Sequence, residues 1–561
     1  MRKTILVIFA SLSLGACTTL PATVATTPGV VSAADPRAAE AGAAMLRQGG
    51  SASDAVFATL LALTVVEPQS SGIGGGGFLV TSDARGKVET YDGREEAPAA
   101  ATPTWFFKDG VAMSTREAVP GGKSVGVPGN VRMMALAHRA HGKLAWQALF
   151  QPAIALARDG FRITPRLRLM LDHARTTGAL SAEGRGLFYG ADGEPLAAGT
   201  RVRNPRLAAF LTDLANRGPD SFYVGPNAQA IAATVRSSPR NPAAMTVGDV
   251  AAYDAKQRAP VCGTYRAHRI CGMGPPSSGA TTVFAILKQL ERFDLTALGP
   301  DSPTAWHLIA ESMRLAYADR DLYLADADFV SVPVAGLSDP AYLAQRSALI
   351  APNSTMATVA AGRPTGARQM AWSPQPAEQG TSHFVATDRA GNVATLTSTI
   401  ESVFGSGLMV NGYYLNNELT DFNIVPSVDN VPVANRVEAG KRPRSSMSPT
   451  IVFSPDGRVR LAVGAAGGAT IIAQVAKAII GVVDWRLSAQ AAIALPVIYS
   501  PGATVYVEKR TAHEAMIPAL VALGHQVEVR EPGFKANAVE FRDGRWVGAA
   551  DPRSEGTVVG E

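Results

Sequence analysis

The chain has 561 residues, 47% of them apolar and 18% charged, with a net charge of +5. That composition supports a packed core and excludes a mainly disordered chain. Its 54 glycines and 37 prolines follow no period, which excludes a collagen-like chain, and no basic stripe is present to bind nucleic acid. At roughly 150 residues per domain, length alone allows three or four domains.

Residues 1–16 read as a signal peptide: Met1-Arg2-Lys3 is basic, 4–14 is a short apolar run, and Gly15-Ala16 is small. The run is too short to cross a bilayer. Cys17 directly after the small pair resembles a bacterial lipobox, which implies a lipidated Cys17 as the first mature residue; soluble export is the alternative. Thr18, rather than Asp, follows it, so no inner-membrane retention signal is expected. Either route leads to the periplasm, the lipidated one to the outer membrane. Residues 17–34, rich in Thr, Ala, Val and Pro, read as a tether.

Asp35 caps a helix over 35–50, stopped by Gly49-Gly50, and 51–66 is a second helix whose all-round apolar stretch from Ala55 predicts full burial. A glycine turn at 72–77 leads into a strand at 78–81. Helices dominate to about 350, among them 146–158, 205–217, 228–235 and 304–323. Cys262 and Cys271 flank a turn at 266–268; a disulfide and two buried free thiols are both open readings. Residues 351–380 lack a period and read as a long exposed linker. Strands at 381–388 and 393–400, joined at Ala390-Gly391-Asn392, then 450–453 and 459–463, precede a helix at 470–483 that Gly467-Gly468 opens.

Several motifs fail on context. Gly72 to Gly77 matches GxGxxG, but a helix precedes it and a strand follows, the reverse of a dinucleotide site. Gly122-Lys123-Ser124-Val125-Gly126 matches GxSxG, but Pro128-Gly129 forbids the helix a nucleophile elbow needs. His383 shares a strand face with Thr381 at about 7 Å, too far for a hydrogen bond, and reads as structural. No CxxC pair or HExxH sequence is present, and no metal or organic cofactor is indicated.

The junction at Gly380-Thr381 carries more. A threonine hydroxyl needs a base, and a chain's own α-amine can serve once the residue is an N-terminus. Its ordinary pKa of about 7.7–8.0 suits that duty. A linker ahead of Thr381 is what a self-cleaving precursor needs, because the new end must move away.

The surroundings give the junction a family. Gln379-Gly380-Thr381-Ser382-His383-Phe384, Thr399-Ile400-Glu401, Leu415-Asn416-Asn417-Glu418-Leu419-Thr420-Asp421-Phe422 and Lys441-Arg442-Pro443-Arg444-Ser445-Ser446 resemble the γ-glutamyltransferase (glutathione hydrolase) family. So do Asp92-Gly93-Arg94-Glu95-Glu96, Pro275-Pro276-Ser277-Ser278-Gly279, Gly464-Ala465-Ala466-Gly467-Gly468 and Asp551-Pro552-Arg553-Ser554, in family order from about 35 to the end. The resemblance implies an α+β fold, the four-layer αββα sandwich of N-terminal nucleophile hydrolases. It also implies self-cleavage at Gly380/Thr381 into a large subunit, 35–380, and a small subunit, 381–561, that share one core.

It further implies roles. Thr381 is the nucleophile, Thr399 orients its hydroxyl, and Gly467 and Gly468 form the oxyanion hole. Arg94, Ser445 and Ser446 clamp the substrate α-carboxylate, while Glu401, Glu418 and Asp421 accept from its α-ammonium. Many members have Asn where Glu401 stands and some have Gln where Glu418 stands, which makes this pocket more acidic. The lid segment 423–441 has no Tyr, so an aromatic gate is missing.

The function implied is hydrolysis or transfer of the γ-glutamyl group of glutathione and related compounds, to water or to an amino-acid or peptide acceptor. A cephalosporin (glutaryl) acylase of the same fold is the first alternative; the three acids argue against it, since glutaryl has no ammonium. An uncleaved peptide-binding lipoprotein is the second.

Overall fold

The computed structural model describes residues 28–374, 380–531, 533 and 535–561. The signal peptide, Cys17 and most of the tether lie outside these residues.

Two antiparallel sheets form the centre. The strands of the first are β1 (Val30–Ala33), β2 (Gly76–Ser82), β3 (Val88–Asp92), β4 (Lys256–Arg258), β7 (Gly380–Thr387), β8 (Val393–Glu401) and β13 (Thr557–Gly560). Those of the second are β5 (Val261–Tyr265), β6 (His268–Gly272), β9 (Thr450–Phe453), β10 (Val459–Ala466), β11 (Lys535–Arg542) and β12 (Arg545–Ala550). The first sheet runs β13-β1-β7-β8-β2-β3-β4 and the second β12-β11-β10-β9-β6-β5. Both sheets contain strands from before and after residue 380, interleaved in the first and in two adjoining blocks in the second, so a cut there leaves one core made of two chains.

Helices α1 (Pro36–Arg47) and α2 (Ala52–Val66) cover the outer face of the first sheet. Helices α3 (Gly279–Leu290), α4 (Pro303–Tyr323) and α5 (Thr470–Val483) cover the second. The layers therefore run α, β, β, α, as the motifs imply. Strand alternation sets the two cores. Phe384 and Ala386 face α1 and α2, while Val385 faces the second sheet. Every residue of α2 is buried, and Ser51 and Asp54 cap it reciprocally.

Two readings are corrected. Val30–Ala33 belongs to the fold and not to a tether: it is a fully buried strand between β7 and β13. Composition marked the segment as loose, but its Val-Val-Ser-Ala pattern fills a slot that only distant strands create. Residues 351–374 have little regular structure, yet they are strapped to the body and are not a free linker. Glu311 accepts from the Met356 amide and the Thr355 hydroxyl, both at 2.7 Å, and Asp319 accepts from the Gly362 amide at 2.7 Å. The far end, Ala371 to Pro374, lies on the lid: Ala371 N–H donates to Pro432, and Asn423 donates to Ser373 and Pro374. Cys262 and Cys271 sit opposite each other on β5 and β6 and are joined as a disulfide.

Candidate active site

Thr381 is the second residue of β7 and pairs directly with Thr399 on β8. The register shifts between Gly380 and Thr381, so Gly380 pairs with Glu401. The extra residue on β8 is Ile400, whose N–H donates to the Ser70 carbonyl just ahead of the glycine turn. Such a bulge re-aims side chains. Here it brings three groups onto one hydroxyl. Thr399 Oγ1 accepts from the Thr381 hydroxyl at 3.3 Å and from Glu401 N–H at 2.7 Å, and donates to the Gly380 carbonyl. The Thr381 hydroxyl, the Thr399 hydroxyl and the Gly380 carbonyl therefore form one hydrogen-bonded set. A side chain at 380 would meet the Glu401 carbonyl at 2.5 Å, so only glycine fits before Thr381.

The glycine turn is structural. A Cβ at Gly75 would lie 2.0 Å from the Thr399 carbonyl, and one at Gly74 2.0 Å from that of Tyr414. Ser124 donates to the carbonyls of Val119 and Gly121, as an ordinary loop residue does. His383 packs on Gly464 of the second sheet, its ring nitrogens bonded with the hydroxyls of Thr397 (2.8 Å) and Thr395 (3.1 Å). Burial pushes it down to about 3, so it stays neutral.

Gly467 and Gly468 follow β10, with φ of 127° and 58°, and lead into α5. Positive φ at both positions requires glycine. Residue Ala466 just before them pairs with Lys535, and the Lys535 ammonium donates to Ser382 Oγ at 3.1 Å. The glycine pair is thus tied to the neighbourhood of Thr381, at a helix start whose N–H groups favour negative charge.

The charged pocket is built from four segments: the loop after β3, the end of β8, the single helical turn Glu418–Asp421 and the loop at 443–446. Arg94 is buried, and its fork holds Glu418 on one nitrogen and Asp421 on the other. It also donates to the carbonyls of Pro443 (3.1 Å) and Arg444 (3.0 Å), which fixes it beside Ser445. Burial alone would lower its pKa; the carboxylates of Glu418 and Asp421 raise it, so it stays charged. Glu401 accepts from Ser402 and Asn417, and burial pushes its carboxyl up to about 8, with the Asp421 charge adding to the rise.

Ser445 and Ser446 stand on the same wall but serve the scaffold here. Ser445 Oγ accepts from Met447 N–H, and Ser446 Oγ accepts from Arg320 at 2.8 Å. The Pro-Pro-Ser-Ser-Gly motif backs them: Ser278 donates to the Ser445 carbonyl, and Ser445 N–H donates to Pro276.

The structure therefore brings Thr381, Thr399, Gly380 and Glu401 into one group, and Arg94, Glu418 and Asp421 into another. Glu401 joins them: it accepts from the side chain of Asn417, the residue before Glu418. Sequence reasoning missed Glu95, Arg320, Glu67 and Lys535. Glu95 is fully buried beside Arg94, 3.9 Å from it, and burial pushes it up to about 7. Its position next to Arg94 in the motif was its one signal. Lys535 opens a strand that also carries Asn537, Glu540 and Arg542, so its sequence context did not mark it as a buried charge.

The gamma-glutamyltranspeptidase family profile matches residues 38–561. The chain is 36% identical to a glutathione hydrolase proenzyme of Bacillus subtilis over 95% of this chain and 91% of the relative. It is 35% identical to an acylase ACY 1 proenzyme of a Pseudomonas strain, over 95% of this chain and 93% of the relative. Its fold resembles the crystal structure of a cephalosporin acylase from Bacillus halodurans, with a TM-score of 0.85, 25% identity and 99% of each chain covered. On this profile, these relatives and the four-layer sandwich, the chain belongs to the gamma-glutamyltranspeptidase family.

Proposed function

We propose that this chain is a γ-glutamyl hydrolase and transferase that cleaves glutathione and related γ-glutamyl amides after cutting itself at Gly380/Thr381. The observation that carries the reading is the Thr399 hydroxyl, bonded at once to Thr381 Oγ1 and to the Gly380 carbonyl.

In the precursor, Thr381 Oγ attacks the Gly380 carbonyl carbon. Thr399 stabilises the oxygen that gains charge. The Gly380–Thr381 C–N bond breaks, the Thr381 nitrogen takes the proton, and water hydrolyses the ester left behind. The freed α-amine then acts as base in turnover. It takes the Thr381 hydroxyl proton as Oγ attacks the γ-carbonyl carbon of substrate, while the Gly467 and Gly468 N–H groups meet the oxyanion. The amide C–N bond breaks, and the leaving amine, cysteinylglycine from glutathione, takes that proton. Water or an acceptor amine releases the γ-glutamyl group from the ester.

Arg94 with Ser445 and Ser446 suits the substrate α-carboxylate. Glu401, Glu418 and Asp421 suit its α-ammonium. Glu418 and Asp421 are themselves held on the Arg94 fork, which places the groups suited to the carboxylate and to the ammonium side by side.

The glutaryl acylase reading is favoured by the likeness to acylases and opposed by the acids, which a glutaryl group leaves without a partner. Steady-state turnover of γ-glutamyl anilide against a glutaryl β-lactam separates the two. The account expects the γ-glutamyl compound to win by at least about 10²-fold in kcat/KM, since a buried acceptor left unpaired discriminates strongly. Preference for the glutaryl compound overturns it.

The signal layout and the Cys262–Cys271 disulfide support a periplasmic home, with Cys17 as the lipid anchor. Cys17→Ala is expected to release the protein from the membrane fraction; unchanged fractionation contradicts the anchor.

A further inference from the structure

Cutting at Gly380 creates a mechanical problem. Thr381 loses its covalent neighbour on one side and becomes a chain terminus, and chain termini fray unless something ties them down. A nucleophile displaced by about 1 Å loses on the order of 10²-fold in rate. Strand pairing holds only one side of this end: β8 pairs with Thr381, but β1 covers β7 only over Val385 to Thr387.

The first side chain after the nucleophile is anchored in another way. Ser382 is fully buried and points away from Thr381, toward the α2 layer. Its hydroxyl donates to Glu67 Oε2 at 2.7 Å. The Lys535 ammonium comes from β11 of the opposite sheet and donates to Ser382 Oγ at 3.1 Å. It also donates to both Glu67 oxygens, at 3.1 and 2.8 Å, and to Ser70 Oγ at 3.3 Å. Glu67 caps the C-terminal end of α2 and lies 3.9 Å from Arg166. Lys535 and Glu67 are both under 5% exposed.

A buried ion pair is a poor source of net stability. It does define a unique geometry, because each group must find its partners. This pair takes Glu67 from the large part of the chain, and Lys535 and Ser382 from the small part. It touches neither Arg94 nor the pocket acids.

We infer that Lys535, paired with Glu67, is a positioning residue for the nucleophile: it clamps the Ser382 hydroxyl and so holds the newly cut end of β7 with Thr381 in place. The backbone of the same residue pairs with Ala466, next to the glycine pair, so one residue is tied by its side chain to the strand of Thr381 and by its main chain to the strand that leads to Gly467 and Gly468. The inference rests on Thr381 being the nucleophile, as proposed above.

The test is made on purified enzyme with γ-glutamyl anilide, using only preparations whose small chain starts at Thr381. Ser382→Ala leaves the ion pair intact and removes the clamped hydroxyl; kcat is expected to fall about tenfold or more with KM within twofold. Ser382→Thr restores the hydroxyl and is expected to keep kcat within about threefold of the parent. Lys535→Met is expected to lose kcat at unchanged KM, and to lose little more when Ser382→Ala is already present. If Lys535→Met is not cut, Glu67→Gln/Lys535→Met, which strands no buried charge, is expected to reproduce the Ser382→Ala loss. If that variant is also uncut, the Ser382→Ala and Ser382→Thr pair decides alone.

Wild-type kcat in Ser382→Ala overturns the inference. So do losses that multiply independently in the Lys535→Met/Ser382→Ala combination, or a melting temperature that falls while kcat does not. A parent enzyme with no chain starting at Thr381 instead overturns the nucleophile assignment, and the two failures are distinguishable.

Discussion

The two ends of the site are built on different physics. At the nucleophile, the bonded set consists of two hydroxyls, a carbonyl and an amide, all on adjacent strands. In the pocket, Glu95, Glu401, Glu418 and Asp421 gather around one buried guanidinium, on a loop, a strand end and a single helical turn. Neutral groups need only register, which one hairpin and one bulge supply. Buried charges need partners for every group, which takes four separated segments. The chemical end should therefore tolerate changes of charge elsewhere, whereas the recognition end should fail as a unit.

Arg94→Met breaks the recognition end most severely. It strands Glu418 and Asp421 without their cation, and breaking a buried pair in this way costs about 3–5 kcal/mol. Chemical denaturation should register that loss, and kcat/KM for γ-glutamyl anilide should fall by at least about 10²-fold. Unchanged stability would mean that the carboxyl groups are held by something other than this fork.

Thr399→Val strikes the other end without touching a charge. Loss of one donor to a developing oxyanion costs roughly 10²–10³-fold. A time course of subunit formation by gel should show self-cleavage slowed by that order, with overall stability close to that of the parent. Cleavage at the parent rate would break the proposed role of Thr399.

Glu401 joins the two ends and sharpens the contrast through pH. Its native carboxyl titrates near 8, against an ordinary 4.5. The native state thus binds this proton more tightly than the unfolded state does. Its contribution is complete below about pH 4.5 and is lost as pH rises through 8. Glu401→Gln keeps an oxygen for Asn417 and Ser402 but removes the proton. Melting curves of variant and parent should agree near pH 5, and the variant should gain by up to a few kcal/mol by pH 8 to 9. A constant difference across that range would contradict a raised Glu401.

Far from both ends, replacing Cys262 and Cys271 by serine should cost about 2 kcal/mol of stability and leave kcat unchanged. A drop in kcat would mean that the β5–β6 hairpin communicates with the site.

The chemical end was readable in the sequence because its determinants are local. The 381–388 and 393–400 strands, their turn and the helix at 470–483 follow from alternation, Ala-Gly-Asn and a glycine pair. The recognition end was readable only as a set of family motifs, and its internal pairing was not. Nothing near Arg94 indicates that its fork rests on residues more than three hundred positions away. The strand Val30–Ala33 and the strap at 351–374 escaped for the same reason: their partners are distant and they carry no period of their own. Lys535 and Glu67 form the extreme case, a pair separated by 468 positions.

The central claim is that Thr381 is made a nucleophile by being made a terminus. Intact-mass analysis of the purified parent and of Thr381→Ala tests it most directly. The account predicts two chains from the parent, the smaller starting at Thr381, and one uncut chain without γ-glutamyl turnover from the variant. A parent that turns over substrate as a single chain, or a variant cut normally between residues 380 and 381, would contradict it.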